Sequence, residues 1–118
     1  MAVLTVNQIA AAKQAQALAA ANGGGDSFPN TGKEFIAVRN AGAGAITLTV
    51  VAQGDPCSLE VAASPAHDGV YSIPNDSATY VFGPFKPKRF NDVNGRAQVT
   101  YSGVTSVTIE IFSLPPAA

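Results

Sequence analysis

The stretch "EFIAVRNAGAGAITLTVVAQ", residues 34–53, decides the fold class. Ile36 and Val38 share one face, and Ile46, Leu48, Val50 and Ala52 alternate with Thr47, Thr49, Val51 and Gln53. A period of two marks extended strands with one buried face, because successive side chains of a strand point to opposite sides. The link "AGAG", residues 41–44, carries two glycines that fit a tight turn, so the two strands are expected to form a hairpin.

The same signature recurs outward from this stretch. Further strands are expected at 57–62 ("CSLEVA"), 70–73 ("VYSI"), 79–83 ("TYVFG"), 96–102 ("RAQVTYS") and 105–113 ("TSVTIEIFS"), separated by segments rich in Gly, Pro, Asn and Asp. Seven short strands with such punctuation predict a mainly β domain, an antiparallel β-sandwich, jelly-roll or small barrel. In the last strand Val107, Ile109 and Ile111 face inward, which leaves Ser106, Thr108, Glu110 and Phe112 outside. Phe112 is thereby a candidate contact residue, unless a second covered face takes it. The tail "LPPAA" ends the fold, because Pro115 and Pro116 have no amide hydrogen to donate to a ladder.

Residues 8–21, "QIAAAKQAQALAAA", have a different composition. They are strong helix formers, with Asn7 placed to cap the start and Asn22 with Gly23, Gly24 and Gly25 placed to stop the end. A short helix is expected, with Ile9 and Leu18 its only large apolar side chains and so its candidate partner contacts. The organisation predicted is an arm with a glycine joint over 1–25, a single β domain over 26–114 and a short tail over 115–118. The arm is expected to become ordered on a neighbouring subunit.

With 118 residues, one core is expected. Charged residues make up 13% of the chain against about 25% in an ordinary globular protein. A surface largely covered by partners accounts for that deficit, as does a neutral Thr, Ser and Gln surface. A net charge of −1 gives no general pull toward nucleic acid or an anionic membrane. The start "MAVLTVNQ" has no basic leader region, and Lys13, Gln14 and Gln16 interrupt the alanines, so neither a signal peptide nor a membrane span is expected.

Catalytic and metal patterns are weak. His67 is the single histidine and sits among turn residues in "SPAHDGV", which reads as a solvated loop rather than a triad base. Cys57 is the single cysteine and reads as a small buried residue. One His and one Cys do not suggest a zinc site. The eight acidic residues are scattered singly, so no carboxylate pair stands out for glycoside hydrolysis. "NDVNG", residues 91–95, lacks the remaining ligands of a calcium loop and reads as an Asn-Gly turn. Glycines 23–25 do not follow a strand and open no phosphate-cradling helix. No enzyme, cofactor or metal is expected.

One local concentration of charge remains. In "FGPFKPKRFNDVNGR", residues 82–96, Lys86, Lys88, Arg89 and Arg96 are four of the seven basic residues of the chain. Such a patch suits an acidic protein surface or phosphate. Pro84 and Pro87 stiffen the same connection, and Phe85 and Phe90 are expected to plug the core end. The segment is therefore expected to be a structural corner that also carries a contact patch.

Two stretches, "GDSFPNTGKEFIAVRNAGAGAITLTV" (25–50) and "VFGPFKPKRFNDVNGRAQVTYSGVTSVTIEIF" (81–112), resemble small proteins encoded among the structural genes of tailed bacteriophages. The resemblance rests on Gly-Asp-Ser-Phe-x-Asn, a strand ending in Arg-Asn before a glycine-rich turn, a later Gly-Pro-Phe and Asn-Asp, and Val-Thr-Tyr-Ser-Gly-Val-Thr-Ser-Val-Thr. It implies a place in the virion, assembled in the host cytoplasm, and it fixes no site residues. The role expected within the particle is a head decoration, or cement, protein that binds the major capsid protein and copies of itself, with a trimer favoured because repeated modest contacts add. The alternatives are a neck or tail component with an adhesive role and, from a different class, a carbohydrate-binding β-sandwich, which the absence of Trp disfavours.

Overall fold

The computed structural model describes residues 2–9, 18–53 and 68–113. The expected strand at 57–62, Cys57, His67, the centre of the expected helix at 10–17 and the tail 115–118 lie outside the described residues. The described elements are β1 (Ala2–Val3), β2 (Val6–Gln8), β3 (Ala19–Ala20), β4 (Asp26–Pro29), β5 (Glu34–Asn40), β6 (Ile46–Val50), β7 (Gly69–Ile73), β8 (Thr79–Phe82), α1 (Pro87–Phe90), β9 (Arg96–Tyr101) and β10 (Val107–Ser113).

They form two packed sheets, as the alternating strands predict. The first runs β1-β4-β9-β6-β7 and the second β2-β10-β5-β8, with β3 also pairing with β10. Two pairs are parallel, β1 with β4 and β2 with β10; the others are antiparallel. Core side chains come from both inner faces: Phe28, Leu48, Val50, Ile73, Ala97 and Val99 from the first sheet, and Ile36, Val38, Val107, Ile109 and Ile111 from the second. The expected inward set of the last strand is thus the buried one.

The expected hairpin over 34–53 does not form. β5 pairs with β10 and β8, whereas β6 pairs with β7 and β9, so residues 41–44 cross from one sheet to the other. Asn40 causes the break. Its side chain is fully buried, donates to the Gly44 carbonyl at 2.9 Å and the Ile73 carbonyl at 3.2 Å, and accepts the Gly42 amide at 3.0 Å. Gly42 is required there because a Cβ would stand 2.7 Å from the Thr105 carbonyl oxygen. A glycine-rich link between alternating strands is compatible with either geometry, and the buried amide selects the crossover.

The expected N-terminal helix over 8–21 is corrected at both of its described ends. Gln8 closes β2, and Ala19–Ala20 form β3, both paired with β10. Leu4, Val6 and Ala21 pack on the core. Helix propensity in this stretch rests on alanine methyls, and the exposed edge of β10 offers backbone partners and apolar contact that such a thin stripe cannot match.

Candidate functional site

The corner from Phe82 to Arg96 is built around aromatic packing. Gly83, at φ 134°, turns the chain out of β8 beside the Phe35 backbone, and a cis peptide joins it to Pro84. Phe85 then enters the core at 2% exposure and meets Phe28, Phe82 and Phe90 edge-on, with ring centroids 6.0, 6.3 and 5.6 Å away. Pro87 starts α1, where its missing N–H is harmless, and Phe90 closes it as its buried residue. Phe85 and Phe90 are the plug that the sequence suggests.

Polar side chains clip this corner to the end of β4 and brace the connection from β4 to β5. Asn30, buried at the end of β4, donates to the Phe85 carbonyl at 3.1 Å and to Asn91 Oδ1 at 2.7 Å, and Asn91 returns a bond to the Asn30 carbonyl at 2.8 Å. The Glu34 carboxylate, also buried, accepts from the Thr31 amide at 2.6 Å and from its hydroxyl at 3.1 and 2.9 Å. Asp92 holds the expected Asn-Gly turn: it accepts from the Asn94 and Arg96 amides at 2.8 and 3.1 Å and from Gln98 Nε2 at 2.9 Å. The Gln98 bond, with the amides and the Arg96 charge, holds the Asp92 carboxyl below its ordinary value against the opposing effect of burial.

This scaffold displays the basic residues unequally. Lys86 and Lys88 are exposed, flanking Pro87 at the start of α1. Arg89 is half-buried with its guanidinium 4.8 Å from the Phe90 ring centroid, so it packs on the aromatic plug as well as carrying charge. Arg96 follows the Asp92 turn at the start of β9 and is half-buried. Three of the four expected contacts therefore share α1 and its cap, and the fourth is joined to them by one tight turn. Val93, at the tip of that turn, is 101% exposed and was not singled out by sequence.

The remaining candidates lie elsewhere. Phe112 sits on the outer face of the second sheet, half-buried and stacked on Phe35 with centroids 5.5 Å apart, so its ring is already engaged in a cross-strand pair. Ile9 follows β2, is 38% exposed, and its amide donates to the Ser113 carbonyl at 2.8 Å. Leu18 precedes β3 and is half-buried. Beside these, a cleft of about 360 Å³ is lined by Leu4, Asn7, Ala19 and Glu110 among others, and Asn7 Nδ2 donates to Glu110 Oε2 across it at 3.2 Å.

A second buried polar pair was also missed by sequence. Asp26, in β4, is 1% exposed and accepts the Tyr101 hydroxyl at 2.7 Å and the Asn22 amide at 3.2 Å, while its other oxygen has no partner. Burial and then the Asp26 bond push the Tyr101 hydroxyl far above the usual tyrosine range. A lone acidic residue beside glycines gives no sequence sign of such a pairing, because its partner is 75 residues away.

Among the described residues no cluster of three or more His, Cys, Asp or Glu side chains could hold a metal, and no helix is long and apolar enough to cross a membrane. No protein-family model, curated protein or solved structure matches the chain. The residues thus define a β-sandwich with internal polar clips and one rigid, basic corner.

Proposed function

We propose that the chain is a structural protein of a tailed-phage particle, a head decoration protein that binds the outside of the capsid through its basic corner and acts by adhesion. The observation that supports this reading is the division of labour around α1. Asp26, Asn30, Glu34, Asn40, Asn91 and Asp92, which lie in the stretches that carry the phage resemblance, are engaged in holding the fold together. Lys86 and Lys88 face outward from the corner so fixed. A rigid cationic corner suits an acidic protein surface, where complementary charge speeds docking and sets its register. A low overall charge suits a protein whose surface is covered in an assembly.

Mixing the protein with empty, expanded phage capsids tests the proposal. Saturable binding in a fixed ratio to shell subunits is expected, and absence of binding removes the cement role. The double variant Lys86→Glu and Lys88→Glu should stay folded but attach at least about tenfold more weakly, with a shallower salt dependence. Arg89→Glu belongs in a separate variant, because it also strips packing from Phe90. Unchanged attachment of the double variant would reject the corner as the contact.

A further inference from the structure

β8 ends the second sheet: β5 lies on one side of it and, among the described residues, no strand lies on the other. An edge strand presents a row of unpaired N–H and C=O groups, and proteins commonly guard such rows with lysine, proline, a bulge or a covering element. β8 reads Thr-Tyr-Val-Phe, carries no charge or proline, and turns Val81 outward with 54% of its surface exposed. We propose that β8 pairs with β8 of a second copy of this chain, antiparallel about a two-fold axis, so that the two sheets continue into one.

Register and charge choose a second copy as the occupant. In two-fold antiparallel pairing the numbers of facing residues add to a constant, and the pleat requires that constant to be even, since only then do core-facing residues oppose core-facing ones. Centring the axis on Val81 sets Val81 against Val81 and Tyr80 against Phe82 on both sides. Tyr80 and Phe82 are the β8 side chains that lie against the core, and each is only partly buried, so reciprocal aromatic pairs cover what a single copy leaves open. Centring on Tyr80 would instead set Phe82 against Ala78, beyond the end of the strand. Asp76, which accepts the Tyr80 hydroxyl, stands before the edge and Lys86 lies past the turn at Gly83, so an antiparallel copy brings the acidic end of each edge toward the basic corner of the other. Four residues form a small contact, below the roughly 1,200–2,000 Å² of stable interfaces, and the dimer is accordingly weak and concentration-dependent.

The test uses the isolated protein, so it stands apart from the virion reading. In a Cys57→Ser background, Val81→Cys under mild oxidation should give a covalent dimer, because facing residues of an antiparallel pair have Cα atoms about 4.5–5.5 Å apart, within disulfide reach. Thr79→Cys in the same background should form no covalent dimer, since its opposite number is Gly83. A monomeric Val81→Cys protein, or equal crosslinking of Thr79→Cys, overturns the register. Sedimentation of the wild type should shift from monomer toward dimer with rising concentration, and Val81→Lys should weaken that association by at least about tenfold, because like charges would meet on the axis. A monomer at every concentration, or a trimer, overturns the pairing.

Discussion

Replacing Tyr101 by Phe removes one hydroxyl from the interior and leaves the ring in place. That hydroxyl donates to Asp26 at 2.7 Å, and with it gone the Asn22 amide at 3.2 Å is the remaining donor to a carboxylate that is 1% exposed. A hydrogen bond to a charged acceptor contributes about 1.5–3 kcal/mol, so Tyr101→Phe should lower stability at neutral pH by about that amount, read as a shifted urea midpoint with unchanged slope. The effect also has a sign in pH. Folding raises the Tyr101 pKa above its ordinary 10.0, through burial first and the Asp26 bond second. The folded chain therefore keeps a proton that the unfolded chain releases, and the stabilisation is full below pH 10 and declines above it. The decline approaches about 1.4 kcal/mol per pH unit, and phenylalanine has no such term. The gap between wild type and Tyr101→Phe should close about one to two pH units above 10 and then reverse. A gap under about 0.5 kcal/mol at pH 7, or one that stays constant through the alkaline range, would refute the buried pairing of Tyr101 with Asp26.

Phe85→Ala should cost about 3–5 kcal/mol in thermal or chemical unfolding, because the ring is 2% exposed and contacts three other aromatics; a loss under about 1 kcal/mol would contradict its place at the centre of the plug. Asn40→Ala should cost about 1–3 kcal/mol, since it strands the buried Ile73 carbonyl oxygen, releases the Gly44 carbonyl and frees the crossover at 41–44, and hydrogen exchange at Gly42 should accelerate with it. Deleting residues 1–9 removes β2 and uncovers β10 at Ile111–Ser113, so amide protection along β10 should fall; unchanged protection would show that the N-terminal strand adds nothing to the body.

The strands were legible because alternation is a local signal. Val107, Ile109 and Ile111 are buried as their spacing requires, and Phe85, between Pro84 and Pro87, and Phe90, at the end of α1, fill the core end. Pairing partners were not legible. Ile36 and Ile46 lie on strands with the same period, yet those strands belong to different sheets, because the deciding groups are the Asn40 amide and carbonyl oxygens at Gly44 and Ile73. The alanine-rich segment misled for a related reason: propensity is a weak prior, and the open side of β10 gives Val6–Gln8 and Ala19–Ala20 partners that no local pattern announces. At the basic corner, clustering along the chain put Lys86, Lys88, Arg89 and Arg96 together correctly, but it could not show that Arg89 lies against Phe90 while the two lysines stay outside.

Rigidity is what makes that corner suited to contact. A lysine on a mobile loop loses backbone freedom as well as rotamer freedom when it binds, at roughly 1–2 kcal/mol for each backbone residue fixed. Here Pro84 and Pro87, the Phe85 and Phe90 anchors, the Asn30–Asn91 clip and the Asp92 turn have already fixed the backbone between β8 and β9. Only side-chain freedom at Lys86 and Lys88 is left to lose. Under the capsid contact proposed above, removing the clip by Asn91→Ala, with both lysines kept, should weaken attachment through backbone order alone. If that variant attached as tightly as the parent while hydrogen exchange showed the corner loosened, charge without preorganisation would suffice.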